Sequence, residues 1–264
     1  MKNTKKPLID VVFASDKRKN VLLSLRDGPK DIETILRSLR TTRQALIPQI
    51  RVLEDHYLID QLDNAYELTT VGRLLIDEMT ILLGTIEVFD GNTDYWGTHN
   101  LDFIPPYLLK RIKELGKCEQ VNLSLTESYQ LNQDVVKTTF MSESFFVITS
   151  FFHPDYPRVF HEMVQGGVNL YIIVSGNVLE KMQKDHKEHF QGLIDSEHFN
   201  LYVYPEKMGL QVIAHNDHHL LMRLLTSEGE IDINHVLCSD PGALKWAKEL
   251  FDHYRKDATP VNEL

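Results

Sequence analysis

The first 70 residues of the 264-residue chain contain three short helical patterns followed by the pattern of a hairpin. Apolar residues recur at helical spacing in three consecutive segments. Ser15 offers an N-cap for the first of them, and the pair Thr41-Thr42 offers one for the third. Two short runs rich in Leu, Ile and Tyr then flank 63–65, a sequence suited to a tight turn. Three helices followed by a hairpin predict a winged helix-turn-helix module.

The third helical segment divides into an apolar face and a polar face. Leu46, Ile50 and Leu53 form a stripe that we expect to face the core. In a winged helix such a helix enters the major groove N-terminus first, where Arg and Gln are suited to bidentate contacts with guanine and adenine. We predict DNA contacts from this helix and from the wing, at Thr42, Arg43, Gln44, Ile47, Arg51, Asn64 and Tyr66.

The charge distribution divides the chain. Lys and Arg number 28 against 38 Asp and Glu, for a net charge of −10, yet residues 1–70 carry 12 basic and 10 acidic residues. No acid lies between Glu33 and Glu54, where four arginines fall. A locally basic segment in an acidic protein can bind phosphate while the remainder limits non-specific binding. We therefore predict double-stranded DNA as a partner; the alternative is that these arginines only cover a solvated surface.

The N-terminal third resembles a known family. The run TILRSLRTTRQALIPQIRVLEDHYLIDQLDNAYELTTVGRLL, and most of residues 10–90 around it, is similar to the archaeal winged-helix regulators. The resemblance implies DNA binding, although winged helices also serve protein–protein contacts. A protein-interaction adaptor that does not bind DNA is therefore an alternative.

A long apolar stripe follows the predicted wing. Val71, Leu75, Met79, Leu82 and Ile86 recur at steps of three and four, which predicts one helix over 71–88. The stripe predicts either a homodimer interface that pairs two DNA modules or packing on the C-terminal domain of the same chain. The Gly-containing segment 88–98 suggests a linker. We expect three parts: a winged-helix domain 1–70, a connecting helix and linker 71–98, and an α/β domain 99–264.

Strands alternate with helices of 10–15 residues beyond residue 99, which predicts an α/β layered sheet. The overall fold class is an α+β winged helix-turn-helix domain followed by an α/β layered sensor domain. Ligands in α/β sheets bind at the C-terminal ends of strands. We predict a small-molecule effector site there, formed by Ser150, Phe152, His153, Ser175 and Gly176. His153 could instead serve only as a turn residue before a helix.

The second half also resembles a family. The runs FFHPDYPRVFHEMVQGGVNLYIIVSGNVLEKM, HFNLYVYPEKMGLQVIAHND and CSDPGALKWAKELFDHYRK, within Ser150–Tyr254, are similar to archaeal regulators of the methanogenesis and filamentation type. The resemblance implies a transcriptional regulator. The β-α-β core also looks like one half of the phospholipase D fold, which raises the alternative of a phosphodiesterase-like enzyme.

The residues argue against catalysis. None of the twelve histidines is followed two positions later by lysine, as phospholipase D chemistry requires, and no zinc-protease, Walker or dinucleotide motif occurs. The segment 215–219 holds three histidines but is more simply a hairpin turn at Asn216-Asp217, so we predict no metal site. We expect no catalytic residues and no cofactor.

The expected location is the cytoplasm, with no membrane association. The N-terminus lacks the features of a signal peptide, and no stretch is long and apolar enough to cross a bilayer. Cys118 and Cys238 cannot form a disulfide framework and show no metal spacing, which favours a reducing compartment.

Overall fold

A computed structural model describes residues 6–127 and 130–264. The chain forms two compact units, Met1–Leu83 and Gly84–Leu264. The boundary falls within the long helix that follows the wing, inside the segment 71–98 that the sequence predicts as a connecting helix and linker. Among the described residues no helix is long and apolar enough to cross a membrane.

The first unit is a winged helix, as predicted. Its three-stranded antiparallel sheet has the order β1-β3-β2, with β1 between the second and third helices and the hairpin of β2 and β3 after the fourth. Residues 63 and 64 have positive φ at the turn between β2 and β3, the geometry of a tight hairpin. The elements are α1 (Leu8–Phe13), α2 (Asp16–Ser24), β1 (Lys30–Asp31), α3 (Ile32–Ser38), α4 (Arg43–Asp55), β2 (Ile59–Leu62), β3 (Ala65–Leu68) and α5 (Thr70–Phe89).

Side-chain caps and one apolar stripe define the helices of this unit. Ser15 and Thr42 accept hydrogen bonds from the backbone nitrogens of the residues three positions later, each at 3.4 Å. The predicted stripe of α4, formed by Leu46, Ile50 and Leu53, is fully buried in the core of the unit. Both local predictions are confirmed.

The start of α5 is tied closely to the wing. Thr69 Oγ1 donates a hydrogen bond to the carbonyl oxygen of Tyr57 at 2.7 Å and accepts one from the nitrogen of Gly72 at 3.0 Å. A Cβ at Gly72 would lie 1.9 Å from the carbonyl oxygen of Leu58, so only glycine fits this approach.

The second unit is built on an eight-stranded mixed sheet of order β11-β7-β6-β5-β8-β9-β10-β4. Strands β5, β6 and β7 are parallel, and every other neighbouring pair is antiparallel. The predicted hairpin at residues 216–217 joins β8 to β9. The strands are β4 (Cys118–Val121), β5 (Ser144–Thr149), β6 (Asn169–Ser175), β7 (Phe199–Tyr204), β8 (Val212–His215), β9 (Leu220–Arg223), β10 (His235–Cys238) and β11 (Thr259–Pro260).

Helices cover both faces of this sheet and bury a separate core on each. Trp246 and Phe251 of the last helix lie in one core, and Phe160 and Phe190 lie in the other. This three-layer arrangement is the predicted α/β layered domain. The helices are α6 (Thr93–Thr98), α7 (Pro106–Leu109), α8 (Gln133–Thr139), α9 (Tyr156–Gln165), α10 (Gly176–Asp185), α11 (Lys187–Ile194) and α12 (Pro241–Asp257), with 3-10 turns at Ile112–Leu115 and Leu125–Glu127.

Two features of the second unit could not be read from the sequence. Within the linker candidate 88–98, Tyr95 and Trp96 are buried in the core, and the Tyr95 hydroxyl donates to the carbonyl oxygen of Met222 at 3.1 Å. Cys118 and Cys238 form a disulfide. They lie directly opposite each other on β4 and β10, a pairing that 120 residues of separation hides in the sequence.

Candidate functional site

The polar face of α4 is exposed at its first turn. Thr42, Arg43 and Gln44 are exposed, as is Arg51 two turns further along, while Ile47 is half-buried beside them. The helix thus presents donors at its N-terminal end, and its buried stripe holds it against the core.

Arg43 carries a partner that sequence reasoning missed. Its Nη2 forms an ion pair with Oε1 of Glu33 on α3, and both side chains are more than half exposed. Exposed pairs of this kind contribute about 0 to 1 kcal/mol to stability. Glu33 therefore orients Arg43 without holding it strongly.

The two predicted contacts in the wing, Asn64 and Tyr66, differ in their exposure to solvent. Asn64 is exposed at the hairpin tip. Tyr66, which we expected near DNA, is instead buried in the core of the unit, because its position on β3 faces inward. Burial raises the pKa of Tyr66, and the negative charge of Glu54 contributes to the same shift. The ring packs in the core of the unit.

A buried arginine positions α4 and was also missed. Arg18 of α2 donates from Nη1 to Oε1 of Gln49 on α4 at 2.7 Å. It also donates from Nη2 to the carbonyl oxygen of Asp10 at 3.0 Å, and from Nε to that of Val11. One guanidinium thereby connects three helical segments; periodicity alone gives no signal for such a role.

An apolar groove lies between α1 and α5 in the first unit. It has a volume of about 360 Å³, and Ile9 and Leu82 on its walls are largely exposed. The predicted stripe of α5 is divided: Met79 is buried in the unit, whereas Val71 and Leu82 face outward. The lining residues are Leu8, Ile9, Val12, Phe13, Leu75, Glu78, Met79 and Leu82.

Four of the five predicted effector residues have structural partners within the second unit. Ser150 Oγ donates to the carbonyl oxygen of Leu210, and Ser175 Oγ caps α10 by accepting from the nitrogen of Val178 at 3.4 Å. Gly176 is exposed as the first residue of α10. Because β5 and β6 are parallel neighbours, both strand ends reach the same edge of the sheet.

Phe152 and His153 follow β5 at this edge. The Phe152 ring stacks on His186 with centroids 4.8 Å apart. His153 is buried, and its Nδ1 accepts a hydrogen bond from the nitrogen of Asp155 at 3.0 Å. His153 thus does serve the turn before α9.

The histidine-rich segment 215–219 is structural. His215 is buried and stacks on Phe146 with centroids 4.6 Å apart. Burial lowers its pKa to about 3, with a smaller contribution from the charge of Lys248. Within 6–127 and 130–264, no group of three or more His, Cys, Asp or Glu residues is arranged to hold a metal ion.

The same sheet edge holds a buried cation that sequence reasoning did not select. Arg223 ends β9, and it is only 8% exposed. His235 begins β10 on the neighbouring strand and is also buried. The sequence does hold a signal for this residue: Arg223 is the one charged residue in the otherwise apolar run from 220 to 225, a pattern typical of a buried charge.

A winged helix with an exposed polar helix, followed by a three-layer unit, defines a class of two-domain winged-helix proteins. The family model of the methanogenesis regulatory protein FilR1 N-terminal domain matches residues 7–87, and that of the FilR1 middle domain matches residues 128–257. Together they cover about four-fifths of the chain, which belongs to the FilR1 family of regulatory proteins.

A curated relative agrees with this assignment. The methanogenesis regulatory protein FilR1 of Methanothrix harundinacea (strain 6Ac) is 22% identical over 258 residues, which are 96% of this chain. The chain spans 58% of the length of that relative.

Two solved structures are similar over long stretches. TrmBL2, an archaeal chromatin protein with a novel mode of DNA binding, is 14% identical, with a TM-score of 0.43 over 99% of this chain and 100% of its own. Nuc of Salmonella typhimurium, a phospholipase D family member, is 11% identical, with a TM-score of 0.40 over 56% of this chain and 100% of its own. Both TM-scores are low, so the fold assignment rests on the elements described above.

Proposed function

We propose that the protein is a dimeric, DNA-binding transcriptional regulator whose second unit senses a small effector or a partner. The observation that carries the proposal is the exposed N-terminal end of α4, where the N-cap Thr42 is followed by the exposed polar residues Arg43 and Gln44. Membership of a family of regulatory proteins supports it. We accordingly expect the protein in the cytoplasm, where the chromosome lies.

In this proposal α4 reads DNA from the major groove. Arg43 and Gln44 contact base edges, while Thr42 and the first backbone amides of the helix contact a phosphate. Arg51 and Asn64 contact the DNA backbone from either side, and Ile47 packs against the bases. The pair between Arg43 and Glu33 opens on binding, which adds little to the free-energy cost because both groups are solvated.

Binding to the DNA upstream of the protein's own gene tests the proposal. The full chain is titrated with this duplex and with a shuffled duplex over a series of salt concentrations. Selective binding whose logarithm falls linearly with log salt supports a regulator, and the slope counts the phosphates contacted. Absence of binding at low salt overturns it and favours the protein-interaction adaptor.

The groove between α1 and α5 supports the dimer. Exposed Ile9 and Leu82 are large apolar side chains, and contiguous patches of this kind mark association sites. A second copy packing on this groove brings two winged helices together. A two-fold pair of winged helices matches two half-sites of an operator.

A charge in the groove tests the dimer. Ile9→Glu should convert the dimer to a monomer in sedimentation experiments and weaken operator binding. Ile231→Glu is the matched control, because Ile231 is equally exposed but lies in the second unit. A wild-type protein that sediments as a monomer at micromolar concentration contradicts this part of the proposal.

The sensing role is proposed for the sheet edge where β5 and β6 end. Phe152 and Gly176 offer an aromatic surface and an exposed backbone there, next to Ser150, His153 and Ser175. An effector acts by binding one dimer geometry more tightly than another, which shifts their populations. Operator affinity measured with and without the bound effector tests this coupling.

A further inference from the structure

Arg223 differs from Arg18, a second buried arginine, in its hydrogen bonding. Its guanidinium makes no hydrogen bond and no ion pair with any residue in 6–127 or 130–264, and its Nε is fully buried. Arg18, buried to the same extent, makes three hydrogen bonds. Proteins pair or neutralise buried charges, so an unpaired buried guanidinium indicates a missing anionic partner.

The position of Arg223 in the sheet defines its surroundings. Thr149 of β5 lies opposite Val212 of β8, and Val212 lies opposite Arg223 of β9. The register of β9 with β10 then sets His235 beside Arg223. Because side chains alternate along strands, Arg223 shares the sheet face of Val212 and Leu221, which α9 covers.

The groups around Arg223 are polar but uncharged. Burial lowers the pKa of His235 to about 4, and the charge of Arg223 contributes to the shift, so the imidazole is neutral at pH 7. Its Nε2 is hydrogen-bonded to Nδ2 of Asn132 at 3.0 Å. Burial raises the pKa of Tyr156 on α9 to about 12, so the phenol keeps its proton.

The carboxylate of Asp232 acts on Arg223 but pairs with another residue. Asp232 contacts Nε2 of His99 at 3.1 Å, and among the described residues it makes no ion pair with Arg223. Burial lowers the pKa of Arg223, and Tyr156, Tyr95 and Asp232 oppose that shift, in decreasing order of effect. Arginine nevertheless stays protonated in proteins, so a positive charge remains inside this edge of the sheet.

We propose that Arg223 binds the carboxylate or phosphate group of a small ligand at this edge. The guanidinium supplies a fork of donors that matches either oxyanion. An apolar cavity of about 70 Å³, lined in part by Asn132, Tyr156 and Val212, adjoins the site. The inference rests on the proposed sensing function, and it predicts that the effector is negatively charged.

Anion-dependent thermal unfolding of the full chain tests the site. Propionate and inorganic phosphate are titrated at constant ionic strength, with chloride as the reference salt. The expected result is a saturable rise of about 2 to 4 °C in the unfolding midpoint with one of the two anions. A response to propionate identifies a carboxylate with a short apolar group, and a response to phosphate identifies a phosphate ligand.

Two substitutions make the result specific. Arg223→Met should abolish the anion-dependent rise, and Arg158→Met, at an exposed arginine of the same unit, should leave it intact. Arg223→Met should itself unfold at the same or a higher temperature without anion, because it replaces an unpaired buried charge by an apolar side chain.

Two outcomes overturn the inference: neither anion raises the midpoint above chloride, or Arg223→Met responds as the wild type does. Both are independent of DNA, so they are distinguishable from failure of the regulator proposal. If the anion binds but operator affinity does not change, the site stands and only its sensing role fails.

Discussion

The two units of the molecule use polar residues in opposite ways. Among the described residues, eleven polar or charged side chains are buried, and Arg18 is the only one of them in the winged helix. The winged helix instead exposes its polar groups, among them Arg43 and Gln44. A surface that reads a large partner needs accessible donors, whereas a buried polar site selects a small ligand. The difference is consistent with the division of labour that we propose.

Removing the central aromatic residue of the second unit should have the largest effect. Trp246 is completely buried, and its Nε1 donates to the carbonyl oxygen of Leu108 at 3.0 Å. Trp246→Ala should lower the free energy of unfolding of this unit by about 3 to 5 kcal/mol. Urea unfolding followed by circular dichroism measures the loss. If the units are independent, the transition of the winged helix stays in place; a shift of both transitions contradicts that independence.

Acid should destabilise the second unit selectively. The pKa of His215 is about 3 and that of His235 about 4 in the folded chain, both lowered first by burial. Below pH 6.5 the unfolded chain takes up protons at these histidines before the folded chain does. Stability is therefore complete above pH 6.5 and falls towards pH 4, by about 3 to 4 kcal/mol between pH 6.5 and 5 for the pair.

Tryptophan fluorescence follows this loss cleanly, because Trp96 and Trp246, the two tryptophans of the chain, lie in the second unit. His215→Gln should flatten the pH dependence of the unfolding free energy. His189→Gln, at an exposed position, serves as the control and should leave the slope unchanged. Equal slopes in all three proteins would show that His215 does not contribute to the pH dependence.

Exchanging the two buried arginines for methionine compares the units directly. Arg18→Met should lower the stability of the winged helix by about 2 to 3 kcal/mol, because the buried carbonyl oxygen of Val11 loses the donor that Arg18 supplies and Gln49 loses the charged donor to its Oε1. Arg223→Met should not lower the stability of the second unit. Differential scanning calorimetry resolves both changes, and equal losses in the two variants would remove the contrast between them.

The smallest effect concerns DNA. Arg43→Ala should weaken binding to the preferred operator by about 1 to 3 kcal/mol and relax selectivity at one base pair. Competition titrations with operators altered at single positions measure it. Arg158→Ala removes the same charge from the second unit and is the control. Uniform weakening on all duplexes would reassign Arg43 to a phosphate contact.

The accuracy of prediction from sequence follows the range of the interactions involved. The caps at Ser15 and Thr42, the buried stripe of α4 and the turn at Asn216 depend on residues within about four positions of each other, so local patterns reveal them. The winged helix was predictable for this reason. The strand and helix alternation of the second unit was predictable on the same basis.

Features that depend on neighbouring strands were not predictable. Tyr66 is buried because its side chain lies on the inward face of β3. Tyr95 is buried because it packs against β9, where its hydroxyl donates to a residue more than 120 positions away in the sequence. The pairing of Cys118 with Cys238 and the surroundings of Arg223 likewise depend on how neighbouring strands are aligned. Local patterns in a single sequence do not reveal that alignment, so the site around Arg223 could not be predicted.

The glycine at the start of α5 has a mechanical consequence. Gly72 packs directly on the carbonyl of Leu58, and Thr69 bonds to both the wing side and the helix side of this contact. Only Thr69 separates β3 from α5, so no loop lies between the wing and the helix that follows it. A rotation of the first turn of α5 therefore moves the wing as well.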